Sequence, residues 1–266
     1  MELSFKVRWC REAVDPGLAS TERNLKRGEA QWSVPVERSA LVLVDCWADY
    51  DCLKSVWERC GRISDELIAP VLRACRKAGM TIAHCPSPEW ARNYPQWKLY
   101  AGDEELFGAT WTKPAWPPEE FRSRKGVNAQ YIGANLWAEP TYQDWLKRVK
   151  PEMRRITKSL EPVDGDFVVA TGNQLHRLCH DRKVMHLFYV GFCTNICIKD
   201  RDYGMREMRH RGYNVILLRD CTSGIEQPET IDALSITQAS IFDIELKIGV
   251  TTTSDEILRA CSGSKT

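Results

Sequence analysis

The sequence carries almost no net charge: Lys and Arg number 37 against 36 for Asp and Glu, which leaves +1. That balance gives no electrostatic case for binding nucleic acid or an anionic membrane surface. No run approaches the roughly 18 apolar residues of a membrane span, and Met1 to Asp15 holds no apolar core of a secretory signal. No GxGxxG follows the first apolar run and no GxxxxGK[ST] occurs, so neither a dinucleotide nor a P-loop nucleotide is supported. There is no HExxH: His176 and His180 stand four apart with Cys179 between them but without the glutamate, and they read as a solvated helix face. No metal and no other cofactor is expected. C-x-x-C is also missing. The 11 cysteines are odd in number and irregular in spacing, in a chain too large to need disulfides. They read as reduced thiols, hence a cytoplasmic protein.

What is present is a rhythm of short apolar runs and helix-competent stretches. SALVLVD (39–45), MTIAHC (80–85), DFVVA (166–170), VMHLFYV (184–190), YNVILL (213–218) and an edge run at 248–251 read as buried strands. Between them, 64–79 is an amphipathic helix with Ser64 as N-cap and Gly79 as terminator. Stretches 174–181, 230–247 and 254–261 read as further helices, and 197–211 as one helix closed by Gly212. Alternating strands and helices predict a doubly wound α/β fold, with about six parallel strands and helices on both faces.

The chemistry concentrates in two places. Asp45 ends the first strand, where carboxylates point at the ligand edge of an open sheet. Cys197 follows the fourth strand in the first turn of a helix, where the positive end of the helix dipole favours thiolate. A buried cysteine used as a small hydrophobe is the competing reading. His84 ends the second strand. Residues 1–38 form an extension, with SFKVRWC as a possible edge strand or hairpin arm. Residues 86–164 break the rhythm and hold six of the ten tryptophans, Trp90, Trp97, Trp111, Trp116, Trp137 and Trp145. So many aromatics argue for an ordered insertion over the sheet edge or at a subunit contact.

SALVLVDCWADY and YVGFCTNICIKDRDYGMREMRHRGYNVILLRDCTSG together resemble the isochorismatase-like cysteine hydrolases, a superfamily that includes nicotinamidases and carbamoylsarcosine amidases. The resemblance covers 38–85 and 165–260, so that 39–266 reads as the hydrolase domain with 86–164 inserted. It implies strand order 3-2-1-4-5-6, Cys197 as nucleophile and Asp45 as acid/base partner. It also implies a cis peptide at Phe192–Cys193 and an oxyanion site made by the Cys193 and Cys197 amides. The implied reaction is hydrolysis of a small amide or related C–N bond through a thioester. One part of the pattern is missing. The family lysine at the end of the third strand is absent, because DFVVA runs almost directly into TGNQLHRL. Lys113, Lys125, Lys158, Arg92 and His84 are candidate substitutes. The alternative is a catalytically inactive family member that binds small molecules or serves assembly. Trp47, His84, Trp111 and Trp116 are expected to contact a small-molecule substrate, and a homo-oligomer is expected. Cys197 is expected to alkylate fastest, with a pKa below the ordinary value of about 8.5.

Overall fold

The computed structural model describes residues 1–48, 53–97, 116–122, 126–131 and 140–263. The strands are β1 Glu2–Cys10, β2 Arg27–Pro35, β3 Ser39–Val44, β4 Thr81–Cys85, β5 Phe167–Val168, β6 His186–Phe192, β7 Asn214–Ser223 and β8 Val250–Thr252. The helices are α1 Lys54–Ile63, α2 Ala69–Ala78, α3 Pro88–Ala91, α4 Glu119–Arg122, α5 Pro140–Arg148, α6 Gly172–Arg182, α7 Cys197–Asp200, α8 Met205–His210, α9 Ser235–Asp243 and α10 Ser254–Ser262.

All eight of these strands join one sheet in the order β2-β1-β8-β7-β6-β3-β4-β5. The six from β3 to β8 are parallel and keep the expected 3-2-1-4-5-6 order. Side chains alternate across β3 as the strand period requires. Leu41 and Leu43 face a layer with Ile68, Leu72, Phe188 and Val190. Ala40, Val42 and Val44 face the opposite layer, with Leu175, Leu178, Tyr189 and Met208. Burial on both faces explains why these strands read as continuous apolar runs.

The sheet is larger than the six strands expected, because the N-terminal segment is part of it. Leu3, Phe5 and Val7 are buried while their neighbours are exposed, so β1 has the alternation of a half-buried strand. It pairs antiparallel with β2 from Glu2–Pro35 to Cys10–Arg27 and meets β8 at Arg8–Thr251. The strand at 248–251 is therefore internal, not an edge. Glu245 fastens the hairpin. Its buried carboxylate accepts hydrogen bonds from Arg8 Nε at 2.8 Å, from Thr251 Oγ1 at 2.7 Å and from Arg27. Glu245→Gln removes the charge and turns an amide donor toward two guanidinium donors. Both arginines are partly exposed, so we expect a loss of about 3 kcal/mol, the lower end for a broken buried pair. Urea unfolding checks this, and a loss below 1 kcal/mol would mean that the hairpin is held by its apolar face alone.

Three helix boundaries differ from expectation. The helix ending at Gly79 starts at Lys54 and runs through a π-type turn at Ser64–Ile68. Val56 and Cys60 extend its apolar stripe, and Ser64 lies buried inside it instead of capping it. The expected helix from Thr230 begins at Ser235, after Leu234 adopts φ 50°. The helix expected over 197–211 is two short helices, α7 and α8, with an irregular turn at Arg201–Gly204. That break matters for the chemistry of the cleft.

Candidate functional site

The parallel register aligns Val44 of β3 with Gly191 of β6, which places Asp45 beside Phe192 and Cys193 at the carboxyl edge. The approach is close. A Cβ on Gly191 would lie 2.1 Å from the Val44 carbonyl oxygen, and its φ is 113°. Any other residue would push the two strands apart. The Phe192–Cys193 peptide is cis, as the sequence implied. Among the described residues, neither the Cys193 nor the Cys197 amide N–H donates to another group, so both are available to an incoming oxygen.

Asp45 is 1% exposed, yet its carboxylate is fully engaged. Tyr203 donates its hydroxyl to Oδ1 at 3.0 Å. Arg201 donates from Nε to Oδ2 at 3.1 Å, with its Nη2 also 3.1 Å from that oxygen. The same Nη2 donates to Ser87 Oγ at 2.8 Å. Tyr203 is itself fixed, because the buried Tyr189 hydroxyl donates to its carbonyl at 2.9 Å. The Asp45 charge raises the Arg201 guanidinium far above its ordinary pKa, outweighing the cost of burial.

The Cys197 thiol is shifted the other way from expectation. Burial raises its pKa well above the ordinary thiol range, and the Asp45 charge raises it further, while Arg201 opposes both. Cys193 is raised by burial as well. A four-residue helix supplies little dipole, and an adjacent carboxylate disfavours a second negative charge. Cys197 is therefore a neutral thiol at rest. The Cys261 thiol is instead lowered, by its hydrogen bond with Cys75.

Asp45, Cys193, Cys197 and Arg201 open into one cavity of about 310 Å³. Its walls are apolar and include Trp47, Trp57, Phe192 and Ile225. Trp47 stacks on Trp57 with ring centroids 5.9 Å apart and on Trp90 at 4.2 Å. Trp90 in turn stacks on Trp145 at 6.0 Å, and the Arg154 guanidinium lies over both rings. Among the described residues, the tryptophans that line the cleft are Trp47 and Trp57, which precede the 86–164 segment. Trp90 and Trp145 from that segment stand behind them as a second layer.

Of the expected substrate contacts, Trp47 lies in the cleft wall and Trp111 lies outside the described residues. Trp116 is 76% exposed and is not part of the wall. His84 also misses the cleft. Its register partner is Leu43, so it points into the layer beneath α2, where Nε2 meets Asp166 Oδ2 at 3.0 Å. Burial keeps its pKa low, and Arg76 completes the cluster by holding Asp166. Among the candidate cations, His84, Arg92 and Lys158 make no bond to Asp45, while Lys113 and Lys125 lie outside the described residues. The cation present is Arg201, which the sequence reading missed. The available signal was its spacing, four residues after Cys197 and so one helical turn away.

Residues 138–256 match the family model of the isochorismatase domain. The match includes the strand and turn that carry Cys197, whereas Asp45 precedes it. A cysteine hydrolase from Pseudomonas syringae pv. phaseolicola superposes with a TM-score of 0.55 at 19% identity, covering 88% of this chain and 97% of its own. An isochorismatase family protein from Burkholderia thailandensis gives 0.49 at 18% identity, over 85% and 96% of the two chains. At 19% identity the first of these superpositions speaks to fold alone. No curated protein sequence matches the chain.

Proposed function

We propose that this chain is a cysteine-dependent hydrolase of a small amide or related C–N bond, a reading supported by the match of residues 138–256 to the isochorismatase domain model. One observation supports this above the others: a thiol and a buried carboxylate, from the segments that follow two adjacent strands, share one apolar cavity with two amides that donate to no other group among the described residues. Asp45 takes the Cys197 proton as the sulfur attacks the carbonyl carbon. The carbonyl oxygen becomes an oxyanion held by the Cys193 and Cys197 N–H groups. The proton passes from Asp45 to the leaving nitrogen, the C–N bond breaks, and a thioester remains. Water then attacks the thioester with Asp45 as base, releasing the acid and restoring the thiol. A resting neutral thiol suits this sequence, since the proton needed by the leaving group is already on the enzyme. Ten free thiols, without a disulfide among the described residues, support a reducing compartment such as the cytosol.

The test is ammonia release from a panel of aliphatic and aromatic primary amides. Wild type should release ammonia from at least one, and Cys197→Ser should reduce the rate about a thousandfold or more, since an alcohol is a far weaker nucleophile without a strong base. A second reading, that the fold binds small molecules without turnover, draws on the absence of the family lysine. Ala170 and Thr171 stand there, engaged with Gln174 instead. Saturable binding of an amide with no ammonia from any of the panel would favour it.

A further inference from the structure

We infer that the catalytic cation of this site has moved along the chain, and that Arg201 supplies it from the turn that follows the nucleophile. The inference rests on the hydrolase reading for its chemistry but on separate geometry for its evidence. Arg201 meets Asp45 with two nitrogens, both 3.1 Å from Oδ2, and is braced by Ser87 at 2.8 Å. Tyr203 takes the other carboxylate oxygen, so the orientation of Asp45 is set from both sides by one tripeptide. Arg201 also lines the same cavity as Cys197.

The shortened junction after β5 explains how this tripeptide reaches the site. Where a lysine and its loop would stand, Thr171 caps α6 directly and Gly172 follows. The Gly172 N–H donates to Asp202 Oδ2 at 2.7 Å. A Cβ on Gly172 would lie 2.0 Å from the Asp202 carbonyl oxygen. The 201–203 segment therefore occupies space that a longer junction, or any side chain at 172, would fill. Cation, nucleophile and the second anchor of Asp45 all come from residues 197–203.

Arginine brings a functional difference. A lysine can lose its proton at alkaline pH, whereas a guanidinium stays charged throughout the working range. The remaining titratable groups around the pair are the thiols of Cys46, Cys85 and Cys193, the carboxylates of Asp200 and Asp202, and Arg59 beside Cys193. None of these supplies a second cation to Asp45.

The test reads Cys197 itself and needs no substrate. Iodoacetamide labelling at pH 9 is followed by peptide mass spectrometry, with Cys261 as the accessible control and Cys75 as the buried one. A nearby positive charge shifts an ionisable group by about 1 to 3 pKa units. Arg201→Gln, which keeps hydrogen-bonding capacity but not charge, should therefore slow Cys197 labelling about tenfold while Cys261 is unchanged. Arg201→Lys should restore most of the rate, remaining about threefold slow because the two-nitrogen grip is lost. Labelling of Arg201→Gln within twofold of wild type, with Cys75 still protected, would overturn the inference. If Cys75 becomes labelled in that variant, the fold has opened and Arg201→Lys decides, with a rate tenfold or more below wild type while Cys75 stays protected as the overturning result. Failure of the hydrolase reading shows separately, as no amide turnover by wild type whatever the labelling rates.

Discussion

Asp45→Asn should lower kcat for amide hydrolysis by about a thousandfold to ten-thousandfold, near the upper range for loss of a general acid–base group. The same change should make Cys197 label faster at neutral pH. The Asp45 charge raises the thiol pKa, so removing that charge lowers it and increases the thiolate fraction, about tenfold per pKa unit. Activity and thiol reactivity then move in opposite directions, which general unfolding would not produce without also exposing Cys75. The Arg201 side chain remains 37% exposed, so water screens the charge left behind. The stability loss should be about 1 to 2 kcal/mol, well below that of a fully buried pair. Stopped ammonia assays, labelling rates and urea unfolding on the one variant check all three expectations. Unchanged turnover would remove Asp45 from the mechanism.

Trp90→Ala should be the most damaging single change in the cleft's outer wall. Trp90 is 5% exposed and lies between Trp47 at 4.2 Å and Trp145 at 6.0 Å, in nearly parallel stacks of 11° and 13°. Truncating a buried aromatic of this size costs about 3 to 5 kcal/mol through lost burial and the cavity left behind. The functional effect follows from position. Trp47 lines the cleft and Trp90 stacks behind it, so the variant frees Trp47 to tilt. KM should rise about tenfold while kcat changes less, because the loss falls on ground-state and transition-state binding alike. Chemical unfolding gives the first effect and steady-state kinetics the second. A kcat loss with unchanged KM would place Trp90 in support of the reacting atoms instead of the wall.

The parallel strands were legible because each is buried on both faces and so reads as an uninterrupted apolar run. Their carboxyl edge made Asp45 and Cys197 stand out before any coordinates. His84 was misread for a related reason: a residue at a strand end faces one layer or the other, and only the register with Leu43 shows which. The hairpin was faint, since β1 alternates on one face only and its contribution depends on Glu245, 235 or more residues away from its first-strand partners. Tryptophan density pointed to 86–164 as an ordered insertion, yet density says nothing of layering, and among its described residues Trp90 and Trp145 form a second row behind Trp47. Arg201 escaped notice because the search for a cation followed the position of the lost lysine. Helix 197–211 was read as continuous, whereas the break at Arg201–Gly204 lets Tyr203 join Arg201 at Asp45.

The most direct measurement is peptide mapping of the protein quenched in acid during turnover of an amide from the panel. The expected result is an acyl mass increment on the peptide containing Cys197, absent in Cys197→Ser and strongly reduced in Asp45→Asn. Ammonia release that persists in Cys197→Ser, or an acyl group mapped to another residue, would contradict a reaction run through Cys197.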